Sequence, residues 1–303
     1  MTASPLTGAA RPGAAPTGTA QDTTDGATAD RATADWATAH WTTTDQASDA
    51  RHGCARSSEA GGAPHPVLEH RYGSAEAREG FVKTLFDETA PHYDRIDRIF
   101  SLGSGPWYRR RALAAAGLRP GMEVLDVAVG TGLVAREAAR IVGDPARVTG
   151  LDPSDGMLAE ARRHLPGVRL LRGRAEAIPL PDASVDFVSM GYALRHVADL
   201  GAAFREYRRV LRPGGTVLLL EIGVPERGAA RAVARGYMGT VIPALCWLAA
   251  PRHRSGELMR YYWETIEACV PAATILDALR GAGFRDAGVT TDLGVFRAYA
   301  ARA

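Results

Sequence analysis

An acid followed by a glycine-rich turn at residues 124–132 is the stretch whose residue types most clearly suggest chemistry. Residues 124–127 form an apolar run that predicts a buried strand, and Asp126 lies near its carboxyl end. Helical periodicity over residues 133–142 completes a strand–turn–helix unit. Glycines let a backbone come close to a bulky ligand, so this unit predicts a nucleoside-binding crevice that Asp126 faces. The turn supplies the predicted ligand contacts Ala128, Gly130, Thr131 and Gly132.

Two classes of cofactor compete for this turn. Gly130, Gly132 and Ala135 also fit the Gly-x-Gly-x-x-Gly/Ala fingerprint of dinucleotide binding, which is typical of a nicotinamide oxidoreductase. Asp126 favours S-adenosylmethionine instead, because a carboxylate attracts a sulfonium and an ammonium but repels a pyrophosphate. A glycine turn that binds no ligand is the structural alternative.

Asp152 has the spacing of a second ligand contact. It ends the next predicted strand, 20 residues after Gly132, and can accept hydrogen bonds from two ribose hydroxyls. It could instead cap the following helix, but Ser154 or Asp155 is better placed for that role. We therefore predict a site for S-adenosylmethionine.

Short apolar runs that alternate with helical segments must position these residues. The runs predict a parallel sheet buried between helices, with strands at 123–127, 147–151, 168–172, 185–190 and 216–222. Two last strands, at 285–291 and 294–300, are close enough to form an antiparallel hairpin. Helices are predicted at 75–86, 93–116 with a break at 103–106, and 272–281.

With these elements in register, the chain resembles a class I S-adenosylmethionine-dependent methyltransferase. Several segments resemble the ubiquinone/menaquinone biosynthesis C-methyltransferase family more narrowly, over about residues 80–300; they are 86–94, 100–103 with Trp107, Leu194-Arg195 and 264–266. The resemblance implies an α/β Rossmann-like fold, with a mostly parallel sheet, an antiparallel final strand and a helical lid. It also implies C-methylation of a prenylated hydroquinone such as demethylmenaquinol.

The predicted organisation has three parts. Residues 1–65 are rich in Ala, Thr, Gly, Pro and Asp, with a short five-residue repeat, and predict a disordered tail. Residues 66–118 are predicted to form the helical lid. Residues 119–303 form the methyltransferase core, with a mostly helical insert at 225–270.

The resemblance extends the list of predicted site residues. The further cofactor contacts are Met157, Arg174, Ala175 and Gly191. For catalysis, Arg195 would hold a phenolate, and His196 or Glu221 would take the proton. The structural alternatives are a solvated Arg195, a structural His196 and a Glu221 that pairs with an arginine. Tyr93 and Trp107 are expected to line the lid over the substrate, or else to pack as ordinary core residues.

The sequence departs from the family pattern in four places. Ala128 replaces the first glycine of the turn, which a slightly wider turn would tolerate. Arg174 stands where the family has a small polar residue near adenine. The segment 193–196 replaces Gly-Leu-Arg-Asn, and residues 292–297 differ from the family's C-terminal pattern.

The last two departures lie near the acceptor, so its identity stays open. The main alternative is an O-, N- or C-methyltransferase of an aromatic specialised metabolite. A protein that binds S-adenosylmethionine without catalysis is a further alternative, favoured if Arg195, His196 and Glu221 all point away from the pocket.

Composition narrows the remaining possibilities. Of the 303 residues, 46% are hydrophobic and the net charge is +2, without a dense basic patch, so we expect a real core and no nucleic-acid partner. Cys54, Cys246 and Cys269 lack metal-ligand spacing, which predicts reduced thiols and no metal site. No signal peptide is evident, so a cytoplasmic location is expected.

The apolar run 237–250 is too short to span a bilayer. It predicts either a buried lid helix broken by Pro243 or a surface that meets lipid or a lipidic substrate. The sequence thus leaves peripheral membrane contact open, and it leaves a homodimer open as well.

Overall fold

The computed structural model describes residues 62–101, 103–225, 228–249 and 254–303. A seven-stranded sheet lies at its centre, in the order β3-β2-β1-β4-β5-β7-β6. The strands are β1 Val124–Val127, β2 Val148–Asp152, β3 Arg169–Arg172, β4 Val185–Gly191, β5 Leu211–Ile222, β6 Arg285–Asp292 and β7 Phe296–Arg302. Strands β1 to β5 pair in parallel, whereas β7 is antiparallel to both β5 and β6. The predicted Rossmann-like fold class is confirmed.

Helices connect the strands and cover one end of the sheet. They are α1 Glu69–Tyr72, α2 Ala75–Thr89, α3 Tyr93–Ser101, α4 Gly105–Ala115, α5 Leu133–Val142, α6 Asp155–His164, α7 Leu200–Val210, α8 Gly228–Gly236, α9 Ile242–Ala249, α10 Ser255–Glu267 and α11 Ala272–Gly281. Short 3₁₀ turns lie at Ala90–His92, Pro145–Arg147 and Leu194–His196, and Tyr237–Val241 is a π-helical turn.

The core has two layers, one on each face of the sheet. Successive strand residues point to opposite faces, so Val188 packs with α7 and α11 while Phe187 packs with α4, α5 and α6. Phe204 and Leu279 belong to the first layer, and both are fully buried. This two-sided burial fits the near-continuous apolar runs of the inner strands.

The lid has an apolar cluster of its own, which joins the helices before β1 to those of the insert. It includes Leu85, Ile242, Leu258 and Tyr261. The end of α2 is fastened to the start of α6, where the Asp87 carboxylate accepts hydrogen bonds from Ser154 Oγ at 2.6 Å and Gly156 N at 2.9 Å. The lid is thereby held against the carboxyl end of β2.

The predicted boundary of the tail at residue 65 is placed too late, because Pro64 and His65 are buried against the fold. Val270 N donates to Pro64 O at 2.9 Å, and the His65 side chain is only 3% exposed. An apolar residue is not needed for this docking, since backbone groups and a histidine make the contacts. The predicted disorder of residues 1–61 lies outside the described residues.

The apolar run is half-buried over residues 237–245, and its proline does not break a helix. The π-turn runs directly into α9, where Pro243 is the second residue. A wider turn relieves the clash between a proline ring and the carbonyl four residues earlier. Ile242 is fully buried, whereas Leu245 is 43% exposed. Across the described ranges, no helix combines the length and apolar character that a membrane span requires.

Candidate active site

A cavity of about 480 Å³ lies at the carboxyl ends of β1, β2 and β4, under α2. This volume is typical of small-molecule sites. The structure brings most of the predicted site residues to its wall, namely Tyr93, Ala128, Gly130, Asp152, Met157, Arg174, Ala175, Gly191 and His196. The other predicted site residues do not line this cavity; they are Trp107, Asp126, Thr131, Gly132, Arg195 and Glu221.

Asp152 joins the end of β2 to the glycine turn. Its carboxylate accepts hydrogen bonds from Gly130 N at 2.9 Å and from Ser154 N at 2.8 Å. Burial raises the pKa of Asp152 to about 6, although these two hydrogen bonds oppose the rise. Each carboxylate oxygen keeps a lone pair for a further donor, so Asp152 can accept ribose hydroxyls as predicted. Ser154 is the cap of α6, accepting from Met157 N at 3.0 Å.

The two glycines of the turn have different roles. Gly130 has a φ of +56°, and a Cβ there would meet nothing within 4 Å, so its backbone is open to a ligand. A Cβ on Gly132 would lie 2.4 Å from Leu165 Cδ1, within the protein. The prediction that Gly132 makes room for a ligand is therefore wrong: it makes room for the packing of Leu165.

Ala128 does not widen the turn. It adopts a φ of 54°, the left-handed conformation that a glycine would adopt at no cost. For alanine this conformation costs about 1–2 kcal/mol. The departure from the family pattern is thus accommodated by strain at a cavity-lining residue rather than by a different turn.

Asp126 does not face the cavity, and this prediction is wrong. Val127 lines the cavity, so strand alternation turns Asp126 toward the opposite face. Its carboxyl group is 1% exposed and accepts hydrogen bonds from Ser189 Oγ at 2.7 Å and from the backbone of Ala135. Burial raises the pKa of Asp126 to about 7. Asp126 thus supports the start of α5 from below the turn.

Thr131 is a structural contact as well. It is 1% exposed, and its Oγ1 donates to Asp94 Oδ1 at 2.5 Å. This hydrogen bond joins the glycine turn to α3 of the lid. The Thr131 side chain was predicted to contact the cofactor, but in the structure it connects the lid to the core.

Arg195 and Glu221 form a fully buried ion pair, with 2.9 Å between Nε and Oε2. The Arg195 Nη1 atom donates to Thr265 Oγ1 at 2.8 Å, and Nη2 donates to Tyr192 O at 3.2 Å. Glu221 also accepts from Leu194 N at 2.8 Å. Every guanidinium nitrogen is therefore engaged, and the prediction that Arg195 holds a phenolate is wrong. The Arg195–Glu221 ion pair instead fixes the loop after β4 against β5 and α10.

His196 lies in the cavity wall among aromatic rings. Its Nδ1 is 3.1 Å from Tyr261 OH, and its ring packs edge-on against Phe86 at 5.2 Å. Its Nε2 is buried and has no hydrogen-bond partner among the residues that the structure describes. Burial and then Arg195 hold the pKa of His196 well below its usual value. The ring is thus neutral at physiological pH and a weaker base than the sequence suggested.

Of the two aromatic residues predicted to line the lid, only one lines the cavity. Tyr93 lines the cavity, and its hydroxyl lies 2.8 Å from Tyr262 OH. Trp107 is 62% exposed, so its predicted place in the lid is wrong. Helix α4 instead turns its next two residues inward, because Tyr108 is 6% exposed and Arg109 is 2% exposed.

Sequence reasoning placed α2 in the lid but named none of its residues at the site. One face of this helix lines the cavity, with residues spaced at three and four positions; they are Ala75, Glu76, Arg78, Glu79, Val82, Lys83 and Phe86. That spacing was visible in the sequence. Arg78 is 6% exposed and donates to Arg195 O at 2.6 Å. Tyr192 and Tyr262 also line the cavity, and no local signal marks them.

Comparisons with known proteins agree with this geometry. A S-adenosylmethionine-dependent methyltransferase from Thermotoga maritima, of known structure, aligns over 73% of this chain and 98% of its own, with a TM-score of 0.51 and 20% identity, which supports the fold. The ubiquinone/menaquinone biosynthesis C-methyltransferase of Shewanella halifaxensis is 33% identical over 222 residues, covering 71% of this chain and 87% of the relative.

The demethylmenaquinone methyltransferase of Chlorobaculum tepidum is 34% identical over 212 residues, covering 68% of this chain and 85% of the relative. The profile of the ubiE/COQ5 methyltransferase family matches residues 73–296. The predictions of a methyltransferase and of S-adenosylmethionine as its cofactor are confirmed. The chain belongs to the ubiE/COQ5 methyltransferase family and is an S-adenosylmethionine-dependent enzyme.

Proposed function

We propose that this enzyme methylates a ring carbon of a prenylated hydroquinone such as demethylmenaquinol. The relatives carry names from quinone biosynthesis. The observation that carries the proposal is the aromatic wall beside the loop after β4. Phe86 lies 6.3 Å from Tyr93 and 6.1 Å from Tyr262 between ring centroids. Such a wall suits a flat aromatic acceptor, which can stack or pack edge-on against it.

The cofactor would occupy the part of the cavity nearer β2. Asp152 would accept the ribose hydroxyls, and the open backbone at Gly130 would allow close approach. Met157 and Ala175 would pack against the adenine. Arg174 would cover the adenine end of the cavity, because its Nη1 lies 2.5 Å from Oε2 of Glu79 on α2. Gly191 serves packing, since a Cβ there would lie 2.5 Å from Val134 Cγ2.

S-adenosylmethionine supplies an activated methyl group, because its sulfonium leaves as a neutral thioether. The new bond joins the methyl carbon to a ring carbon, and that ring carbon then loses its proton. A deprotonated hydroxyl next to it makes the ring carbon nucleophilic. The protein must therefore hold the ring in line, exclude water and accept a proton. His196 is our candidate for accepting that proton, because this residue lines the cavity and its buried Nε2 has no hydrogen-bond partner among the described residues.

We also propose a cytoplasmic enzyme whose α8–α9 region contacts the membrane that carries its substrate. Val233 is 71% exposed and Leu245 is 43% exposed. Arg231 and Arg235, with side chains 50% and 60% exposed, lie on the same helix as Val233, and both share one acidic partner, Glu267, so the pair keeps a net positive charge. Exposed apolar and basic residues on one helical segment are typical of interfacial binding.

A labelled-methyl assay tests the acceptor class. The enzyme is incubated with methyl-labelled S-adenosylmethionine and a panel of acceptors that contains demethylmenaquinol, its short-chain analogue, a catechol and an aromatic amine. We expect label in the quinols, with a lower KM for the long-chain one. Label in the catechol or the amine, with no quinol turnover, would favour a specialised-metabolite methyltransferase.

A further inference from the structure

A second, smaller cavity shares a wall with the first. Its volume is about 40 Å³, close to that of one water or one hydroxyl group. Tyr93, Tyr192 and Tyr262 line both cavities, so these three rings separate them. On its far side the small cavity is lined by Ser101 of α3 and by residues of α4.

Three of the side chains that line this small cavity carry polar atoms without partners. Ser101 Oγ, Tyr108 OH and both Nε and Nη1 of Arg109 are buried, and none has a hydrogen-bond partner among the described residues. Buried polar atoms are nearly always hydrogen-bonded in folded proteins, so a cluster of unpartnered ones indicates a bound ligand group or an internal water.

Gly105 lets the Arg109 guanidinium and the Ser101 hydroxyl lie against its backbone. A Cβ on Gly105 would lie 2.6 Å from Arg109 Nη1 and 3.2 Å from Ser101 Oγ. The guanidinium is held from its other side, where Nη2 donates to Asp97 Oδ1 at 2.5 Å. Arg109 is therefore a fixed, buried cation with two unpartnered nitrogens, whereas Arg195, which also lines this small cavity, has a hydrogen-bond partner at each guanidinium nitrogen.

The guanidinium also lies close to the ring that separates the cavities. Arg109 Cζ is 5.5 Å from the centroid of the Tyr192 ring. Tyr192 has a φ of 60°, which is strained for a residue other than glycine and is typical of functional sites. Tyr192 therefore lies between the larger cavity and the Arg109 guanidinium.

We propose that Arg109, with Tyr108 and Ser101, forms an oxyanion subsite that receives the hydroxyl oxygen of the aromatic acceptor as a phenolate. This inference rests on the proposed aromatic acceptor. The cation beside the oxygen favours loss of the hydroxyl proton to solvent water, and the negative charge that stays on the oxygen then activates the neighbouring ring carbon. Arg109 thereby takes the role that sequence analysis gave to Arg195.

The test uses 2-naphthol, whose phenolate absorbs at longer wavelength than the phenol. The full-length enzyme with S-adenosylhomocysteine is titrated with 2-naphthol over a range of pH. We expect the bound naphthol to have a pKa at least about one unit lower than in water, as an opposite charge within a few ångströms produces. The ether 2-methoxynaphthalene serves as a probe that cannot ionise.

Two variants separate a ligand role from a structural one. Arg109→Met is combined with Asp97→Asn, so that no buried carboxylate is left unpaired, and it should abolish the pKa shift and weaken naphthol binding at least about tenfold. Tyr108→Phe keeps the shape and should weaken naphthol binding severalfold without lowering the melting temperature. Arg111→Met is the matched control, because that guanidinium lies over the exposed Trp107 ring.

The outcomes also separate this inference from the proposed function. If both variants bind naphthol with unchanged affinity and pKa, the proposed oxyanion subsite is refuted, and its polar atoms are best explained as partners of an internal water. Quinol turnover that is insensitive to Arg109 would overturn the subsite alone. An Arg109-dependent pKa shift without quinol turnover would support the subsite and refute the quinone acceptor.

Discussion

Replacement of Arg195 should unfold the lid rather than remove a catalytic group. Arg195→Ala removes the hydrogen bonds to Glu221, Thr265 and Tyr192 and leaves Glu221, 3% exposed, without a counter-charge. Breaking a buried pair in this way costs about 3–5 kcal/mol. For a domain of this size we expect the melting temperature to fall by about 10 °C.

The assay is thermal unfolding together with steady-state kinetics below the melting temperature. A companion variant, Arg195→Met with Glu221→Gln, removes both charges but keeps an acceptor for Leu194 N. It should recover part of the lost stability, because no unpaired charge remains buried. An Arg195→Ala enzyme with wild-type melting temperature and a strongly lowered kcat would refute this reasoning and restore the predicted catalytic role.

Three further predictions concern the turn, the buried acid and the lid. Both glycines have a positive φ, so alanine at either should destabilise the protein by about 1–2 kcal/mol; Gly132→Ala should cost about 1–3 kcal/mol more because its Cβ would collide with a neighbouring side chain, whereas Gly130→Ala should in addition weaken cofactor binding in calorimetry. Burial raises the pKa of Asp126 to about 7, above the 3.8 of the unfolded chain, so its contribution is most favourable below pH 3.8 and is lost as pH rises to 7. Denaturant titrations should show a loss of up to about 4 kcal/mol across that window, and Asp126→Asn should flatten it. Trp107→Ala should change the unfolding free energy by less than about 1 kcal/mol, whereas Tyr108→Ala should cost about 3–5 kcal/mol.

The fold was predictable because its signals are local. Apolar runs located the strands, and the short connection between the last two predicted their antiparallel pairing. The largest error in a strand concerns β5, which begins at Leu211 rather than at residue 216. Leu211 pairs with Val185 across a register shift, and an Arg-Pro-Gly-Gly sequence gives no hint of such pairing. The helix at Ala75–Thr89 is only three residues longer than predicted.

The site was predictable only where ligand contacts follow from sequence spacing. Gly130 and Asp152 lie at the cavity as expected. The sequence could not predict which face of the sheet Asp126 points to, because a strand buried on both sides shows no alternation of apolar and polar residues. The inward residues of α4 were also hidden, since a run of Trp, Tyr and three Arg has no helical period. Tyr262 reaches the cavity from a distant helix, which no spacing rule reports.

The most direct test of the central claim is the position of the transferred carbon. Demethylmenaquinol is treated with ¹³C-methyl S-adenosylmethionine and the enzyme, and the product is examined by NMR. The proposed function predicts a labelled methyl group bonded to a ring carbon, in place of the ring proton. A labelled methoxy group, or unlabelled quinol after complete consumption of the cofactor on another acceptor, would contradict it.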